Sequence, residues 1–349
     1  MIVVLAIGFW AGLALKIGIM AAIVPVVALP IIFAELKLSA HMQHRIGPYF
    51  AGGRYGWAQP LADGLKFFQK EDLVPDAADK MVYKLAPYLV LGAAMAVFVV
   101  IPFGPDLIGR DLDLGVFYAL AISSISTIGV LIAGWSSGNK YSLIGGLRAA
   151  AQLIAYELPL FLAVVGVVIQ AQTMSMIGII DAQAEYQLFG LEIAGNAIAI
   201  PYVFPQFIGF VIFYIAALAE LSRTPFDMPI AESELVMGYL TEYSGFRFAV
   251  FFIGEYIGIF TMSAIMATLW LGGYDPLFFD LSGLNDIAAN AIGALVLFGK
   301  VAILVFLMIW MRWTFPRFRE DQLQDLAWRI LIPLGLANIA VTAFFKVVF

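Results

Sequence analysis

Acidic residues gather in one short stretch between two apolar segments. Residues 219–235 hold four carboxylates, one arginine and two prolines. The carboxylates are Glu220, Asp227, Glu232 and Glu234. Carboxylates that lie close together raise one another's pKa toward the working pH range, which suits a proton relay. The stretch therefore predicts a proton path. A solvated loop at the membrane interface is the alternative for Glu232, and a docking surface for another protein is a third interpretation.

Two further acids stand inside apolar segments, where an ionised side chain is costly and usually functional. Glu157 precedes Pro159, which cannot donate a backbone hydrogen bond and so frees a carbonyl for water or a side chain. Glu255 lies in a similar apolar run. A structural hydrogen bond is the alternative for Glu157. We predict that both acids join the path. Of the two intramembrane lysines, Lys300 is a candidate to pair with an acid in the bundle and Lys16 to snorkel to the interface, and for both a purely structural role is an equal alternative.

The composition is that of an integral membrane protein. The 349 residues are 62% hydrophobic and 13% charged, against roughly 25% charged in soluble domains. There is no cysteine, which excludes iron–sulfur clusters and zinc–thiolate sites on this chain. The two histidines, His41 and His44, are three residues apart in a predicted loop and are poorly placed to bind haem. No metal site is predicted.

Hydrophobic runs predict an all-α, polytopic membrane protein with one membrane domain over residues 1–349. Eight segments have the length of a spanning helix. They are Val4–Phe33, Leu85–Phe103, Val116–Trp135, Ile144–Ile169, Tyr202–Leu221, Phe246–Leu271, Ile287–Met311 and Trp328–Val348.

The basic residues predict the orientation. Fifteen of the 19 lysines and arginines fall in or beside the loops after spans one, three, five and seven. The positive-inside rule places these loops, 34–84, 222–245 and 312–327 among them, in the cytoplasm and both termini outside. The expected location is the cell membrane, with a thylakoid or organellar inner membrane as the alternative.

Two loops carry amphipathic segments. Trp57–Phe68 places Leu61, Leu65 and Phe68 at helical spacing, which predicts a short helix lying at the membrane interface. A second short helix is expected at Met174–Asp181. The last loop mixes arginines with aromatic residues, which fits either an anchor at anionic lipid or a docking surface for a soluble partner.

Taken together, these segments resemble the H subunit of proton-pumping NADH:quinone oxidoreductase, respiratory complex I, called subunit 1 in mitochondria. The matching blocks run in family order over nearly the whole chain. They are QHRIGP (43–48), QPLADGLK (59–66), KED (70–72), GGLRAAAQ (145–152), YE (156–157), residues 219–235, EYSG (242–245), EY (255–256) and RFREDQL (317–323). The chain departs from the family pattern at two positions. It has Leu36 where the family has arginine, and Tyr49 where the family has asparagine.

The resemblance implies a subunit that anchors the peripheral redox arm, forms most of a quinone-access tunnel and couples quinone reduction to proton movement. Quinone is then the substrate, and neither iron–sulfur cluster, flavin nor haem is expected on this chain. The expected partners are the peripheral-arm subunits at the quinone site, the antiporter-like membrane subunits and lipid, with no nucleic acid. The implied proton path is Glu157, Glu220, Asp227, Glu232, Glu234 and Glu255. The implied tunnel residues are Arg45, Asp63, Arg223 and Phe226.

Three alternatives stay open at this point. A related subunit occurs in membrane-bound hydrogenases and in complexes that take electrons from ferredoxin or a reduced deazaflavin. A stand-alone proton or cation carrier would also need acids along a path through the membrane. A passive membrane anchor for soluble redox subunits would explain Glu157 and Glu255 poorly.

Overall fold

The computed structural model describes residues 2–186, 192–193, 196–197, 200–276 and 285–348. For some of these residues, Lys16 and Glu232 among them, only the backbone is described, so the prediction for the Lys16 side chain lies outside the described residues. Within this part of the chain the fold is helical, apart from two strands of two residues each that pair as an antiparallel hairpin, β1 (Glu192–Ile193) and β2 (Asn196–Ala197).

Long apolar helices make up the body of the protein. They are α1 (Ile2–Met42), α3 (Lys80–Val97), α4 (Gly115–Ser136), α5 (Lys140–Ala171), α7 (Phe207–Glu220), α9 (Gly245–Trp270), α10 (Asp286–Thr314) and α12 (Ile332–Val348). Shorter helices lie between them. They are α2 (Gln59–Gln69), α6 (Met176–Glu185), α8 (Glu232–Leu235) and α11 (Glu320–Asp325).

Seven helices in the described part of the chain are long and apolar enough to cross a membrane, which confirms an all-α, polytopic membrane fold. The predicted span Tyr202–Leu221 is the exception. Its helix α7 has only 14 residues, because a turn occupies the residues before Phe207. At 1.5 Å per residue such a helix is about 21 Å long, against a hydrocarbon core of about 30 Å. The count of eight spans therefore stays a prediction.

Helix α1 continues well past the predicted end at Phe33 and reaches Met42. Pro25 and Pro30 lie inside it without ending it. The charged residues after Phe33 suggest a loop, but the structure pairs Glu35 inside the bundle and Lys37 with a backbone carbonyl, so the helix continues. Glu35 and His41 are consequently helical, and the first loop begins after Met42 instead of at residue 34.

The last predicted span also begins earlier than expected. Helix α11 starts at Glu320 and passes through a π-helical turn, Leu326–Leu331, directly into α12. The predicted loop 312–327 is thus reduced to the few residues between Thr314 and Glu320.

Both predicted amphipathic segments are helical. Helix α2 leaves Leu61, Leu65 and Phe68 exposed, as expected of a helix that turns an apolar face toward lipid. Helix α6 covers most of the second predicted segment.

The most buried helices are α5 and α9, and close backbone approach holds the neighbours of α5 in place. A Cβ atom on Gly134 of α4 would lie 2.8 Å from the Cα of Gly146 on α5, so only glycine permits this approach. A buried amide network joins α12 to the turn before α7: Asn338 donates to Gln206 at 2.9 Å and Gln206 donates to Thr342 at 2.7 Å.

We call the end of the bundle with loops 43–58, 221–231 and 315–319 the basic end.

Candidate functional site

Arg223 lies at the centre of a buried ion cluster at the basic end. The chain leaves α7 at Glu220, and the Arg223 amide donates to the Leu218 carbonyl at 3.1 Å, which folds the loop back on the last turn of the helix. The Arg223 Nη1 atom donates to both carboxylate oxygens of Glu35, at 3.1 and 3.0 Å. Its Nε atom lies 2.7 Å from Glu255 Oε1. One cation therefore joins acids from α1 and α9.

Arg312, from the end of α10, also donates to Glu35, at the Oε1 atom. We call Glu35, Arg223, Glu255 and Arg312 the ion quartet. It holds two carboxylates and two guanidinium groups, so the charges balance. The Arg223 guanidinium also lies 4.8 Å from the ring centre of Tyr256, a cation–π distance. Glu35 and Arg223 are both buried, and charges of this kind persist inside a protein only when they are paired.

A cavity of about 100 Å³ adjoins the quartet. Its polar lining consists of two carboxylates and several hydroxyl groups. These residues are Ser123, Ser126, Glu220, Ser222, Tyr239, Glu255 and Thr261. The rest of the lining is apolar. A cavity needs only about 10–15 Å³ and a few polar partners to hold one water molecule, so this one has room for water beside its polar groups. We call it the acidic cavity. Glu255 belongs both to this cavity and to the ion quartet.

Glu157 lies beside the acidic cavity. Ser124 of α4 donates to Glu157 Oε1, and Glu157 acts electrostatically on Glu220. The Oε2 atom of Glu220 is buried and has no hydrogen-bond partner among the described residues. The structure thus brings three of the predicted acids, Glu157, Glu220 and Glu255, into one connected region between α4, α5, α7 and α9.

The remaining predicted acids lie nearer the surface at the basic end. Asp227 is 3.4 Å from Arg317, and Glu234 accepts from Arg148 at 2.6 Å. Burial raises the pKa of Asp227, and the nearby Arg317 and Arg312 guanidinium groups partly offset that rise. Each carboxylate therefore has an arginine partner. The Glu232 side chain lies outside the described residues.

Phe226 is buried and separates Arg223 from Asp227 along the loop. Its ring lies 5.3 Å from that of Tyr156 and 5.5 Å from that of Phe318, so aromatic residues of α5 and of the segment before α11 enclose it. The predicted tunnel residue Phe226 thus forms part of the packing that fixes the Arg223 loop.

Arg45 and Asp63, the other two predicted tunnel residues, have only local side-chain partners in the described part of the chain. Arg45 is exposed and donates to Gln43 at 2.6 Å. Asp63 accepts from Gln59 at 2.9 Å and from Lys66 at 3.2 Å on α2. Neither side chain contacts Arg223, so the structure does not join the four predicted tunnel residues into one cluster.

Two apolar grooves flank α1, and Val26 and Pro30 line both of them. The first, of about 370 Å³, lies between α1 and α2 and is also lined by Trp57 and Leu61. The second, of about 810 Å³, lies between α1 and α10, with α9 and the loop after α3 at its base. We call them the α2-side groove and the α10-side groove. Each has the size of a pocket for a small apolar ligand.

Sequence reasoning misses Glu35 and the role of Arg312. The charges after Phe33 predict a loop at Glu35, although an acid directly after a long apolar run can also be the last buried turn of the helix. Arg312 reads only as part of a basic loop. For Lys300 the observed hydrogen bonds go to backbone carbonyls, those of Gly273 at 2.9 Å and Asp275 at 2.5 Å. Among the described residues no group of three or more potential ligands could hold a metal ion.

Comparison with known proteins gives one consistent result. The family model for NADH dehydrogenase matches residues 15–343. The H subunit of NADH-quinone oxidoreductase from Bacillus mycoides (strain KBAB4) is 48% identical over 318 residues, which cover 91% of this chain and 89% of that protein. The H subunits from Bacillus cytotoxicus and from Bacillus cereus (strain B4264) are each 47% identical over the same shares. The chain therefore belongs to the NADH dehydrogenase family of membrane subunits, with the H subunit of NADH-quinone oxidoreductase as its relative.

Proposed function

We propose that this chain is the membrane subunit of a complex I that admits quinone and links its reduction to proton movement. The observation that carries the proposal is the double role of Glu255, which pairs with Arg223 and also lines the acidic cavity. A change of charge near the Arg223 loop acts on Glu255 through Arg223, whose Nε atom lies 2.7 Å from Glu255 Oε1. The effect then reaches Glu220 and Glu157, because interacting acids share their protons as one coupled system.

Quinone enters from the lipid through the α2-side groove in this proposal. The groove combines the apolar wall of α1 with an interfacial helix, so an isoprenoid tail can lie in it while the headgroup moves toward the basic end. Arg45, Asp63, Arg223 and Phe226 flank the route of the headgroup. The electrons come from partner subunits, since the residues of this chain supply neither cysteine ligands nor a haem site.

The proposed proton path is Glu157, Glu220 and Glu255, with Asp227, Glu232 and Glu234 as its connection to the surface. An ionised carboxylate in hydrocarbon is too costly to be kept without a partner or water. The Ser124 hydroxyl at Glu157 and the hydroxyl groups of the acidic cavity supply such partners. The partners of the chain are the peripheral-arm and antiporter-like subunits. NADH is the proposed ultimate donor, because the relatives are named for NADH-quinone oxidoreductase.

The direct test is to replace Glu157 or Glu220 with glutamine in the assembled complex. Glutamine keeps the shape of the side chain and removes the proton site. The expected result is the loss of most quinone-linked turnover and proton pumping, with electron transfer to artificial soluble acceptors retained. Glu185→Gln, an exposed acid on α6, is the matched control. If Glu157→Gln and Glu220→Gln both pump at wild-type stoichiometry, the acids are structural and the proposed path is wrong.

Two further measurements separate the alternative functions. Purification in mild detergent identifies the partners, since a ferredoxin- or deazaflavin-dependent complex or a hydrogenase would bring different soluble subunits. Reconstitution of the chain alone tests the stand-alone carrier, which would move protons or cations without partners. Photoaffinity quinone analogues are expected to label near Arg45 or Phe226, and labelling confined to the opposite end of the bundle would contradict the proposed route.

A further inference from the structure

Three polar side chains on one face of α5 each bind a different segment at the basic end. Arg148, Gln152 and Tyr156 are four residues apart, a spacing that places them above one another on a helix. Arg148 donates to Glu234 and lies 3.9 Å from Glu320. Tyr156 is buried and donates to the Leu323 carbonyl at 2.9 Å. Helix α5 thus holds α8, α11 and the loop between α7 and α8 against the membrane core.

Gln152 is the middle member of this stripe and is fully buried. Its Nε2 group donates to the Ala219 carbonyl and to the Phe226 carbonyl, both at 2.7 Å. The Ala219 carbonyl at the end of α7 also accepts from the Ser222 amide at 3.1 Å, so the first bond from Gln152 adds a second donor at this helix end. The second bond satisfies a carbonyl in the loop. One amide group therefore joins the two ends of the segment 219–226.

Arg223 lies inside the segment that Gln152 closes. The loop is also held from its other side, where the Phe318 amide donates to the Pro225 carbonyl at 3.0 Å. Together these bonds fix where the backbone at Arg223 can lie, and hence whether its side chain reaches Glu35 and Glu255. The observed hydrogen bonds of Gln152 go to backbone carbonyls, so its influence on the charged groups passes through the backbone.

We infer that Gln152 is a positioning residue, which holds the 219–226 loop in the conformation that lets Arg223 bridge Glu35 and Glu255. Its importance for turnover rests on the proposed function, whereas its effect on the loop does not. The Oε1 atom of Gln152 is buried and has no hydrogen-bond partner in the part of the chain that the structure describes. The donor half of the amide is therefore the part that the fold uses, and variants can be chosen to remove only that half.

The test compares three variants in the assembled complex. Gln152→Met keeps the length and removes both donors. Gln152→Glu removes both donors when ionised but keeps one O–H donor when protonated. Ala151→Gln adds an amide at the exposed neighbouring position and is the control. Hydrogen exchange of residues 219–227 reports the loop directly, and quinone kinetics over a range of pH report its consequence.

We expect amide exchange in the loop to become at least roughly tenfold faster in Gln152→Met, because the variant loses two hydrogen bonds of modest net value each. Turnover should fall by a similar factor. The turnover of Gln152→Glu, relative to the wild type at the same pH, should recover toward acidic pH, where the glutamate regains an O–H donor. The relative turnover of Gln152→Met should stay low at every pH. General destabilisation does not produce this difference.

Unchanged exchange in the loop of both Gln152 variants would overturn the inference, whatever their turnover. Faster exchange with wild-type turnover would support the positioning role and count against the proposed function of the Arg223 loop. Equal effects of Ala151→Gln and Gln152→Met would also overturn the inference, because the two carbonyls would then not be the targets.

Discussion

Arg223 donates from a single nitrogen to both carboxylate oxygens of Glu35, although the two residues lie 188 positions apart in the chain. Both side chains are buried, so each alone would carry a large desolvation cost. Arg312 at Glu35 and Glu255 at Arg223 extend the pair into the balanced ion quartet. The relationship ties the first helix of the chain to the loop after α7 by a hydrogen-bonded ion pair.

The balance of the quartet predicts how it responds to substitution. Glu35→Gln leaves two guanidinium groups opposite one carboxylate and should destabilise the subunit by roughly 3 kcal/mol, as expected when one partner of a buried pair is removed. The double variant Glu35→Gln with Arg312→Gln restores the balance and should lose less than Glu35→Gln alone. The measurement is the thermal stability of the purified complex in a double-mutant cycle. Strictly additive losses would contradict the coupling.

The two grooves beside α1 predict different effects on the quinone tail. Leu61→Trp narrows the α2-side groove and should raise the apparent KM for long-tailed quinones more than for short-tailed ones. Ala302→Trp fills the α10-side groove and should leave the apparent KM for long-tailed and for short-tailed quinones near the wild-type values. Leu295→Trp, exposed on α10 and outside the lining of both grooves, controls for added bulk. The reverse pattern would assign quinone to the α10-side groove.

Arg317 predicts a shift in pH dependence. Burial raises the pKa of Asp227, and Arg317 lowers it by favouring the ionised form. Arg317→Gln removes the lowering influence, so the pKa of Asp227 should rise further and the carboxylate should accept a proton at higher pH. If quinone turnover needs ionised Asp227, the acid limb of its pH profile should move to higher pH. Arg319→Gln removes an exposed charge nearby and should not move it.

The orientation can be checked by labelling, because the chain contains no cysteine of its own. Lys140 and Asp111 are both exposed and follow and precede α4, at its opposite ends, so each can be replaced by a single cysteine. The positive-inside rule predicts that an impermeant reagent reaches Lys140→Cys from the cytoplasm and Asp111→Cys from outside. Labelling of both positions from the same face would make the predicted topology wrong.

Hydrophobicity is sufficient for the helical fold and insufficient for the helix ends. The runs of apolar residues identify the long helices, because length and composition decide whether a segment can cross a bilayer. The end of α1 depends instead on partners from distant segments. Glu35 marks the end of an apolar run in the sequence, and its pairing with Arg223 and Arg312 makes its burial possible.

The candidate site, like the fold, could be predicted from the sequence only in part. The intramembrane position of Glu157 and Glu255 identifies them as unusual acids, and the structure adds that Glu220 lies with them. The division of the acids into a group at the acidic cavity and a group paired with arginines nearer the surface follows from no local pattern. Nor do the partners of Asp227 and Glu234, because Arg317 and Arg148 come from other segments of the chain.

Pro30 of α1 lines both the α2-side groove and the α10-side groove. Glu35 follows Pro30 by little more than one helical turn. Helix α1 is uninterrupted between them, so the stretch of helix that lines both grooves also carries the carboxylate that Arg223 holds. A bulky molecule bound against Pro30 in either groove therefore shares one structural element with the ion quartet, and the occupancy of the groove and the position of Glu35 depend on the same length of helix.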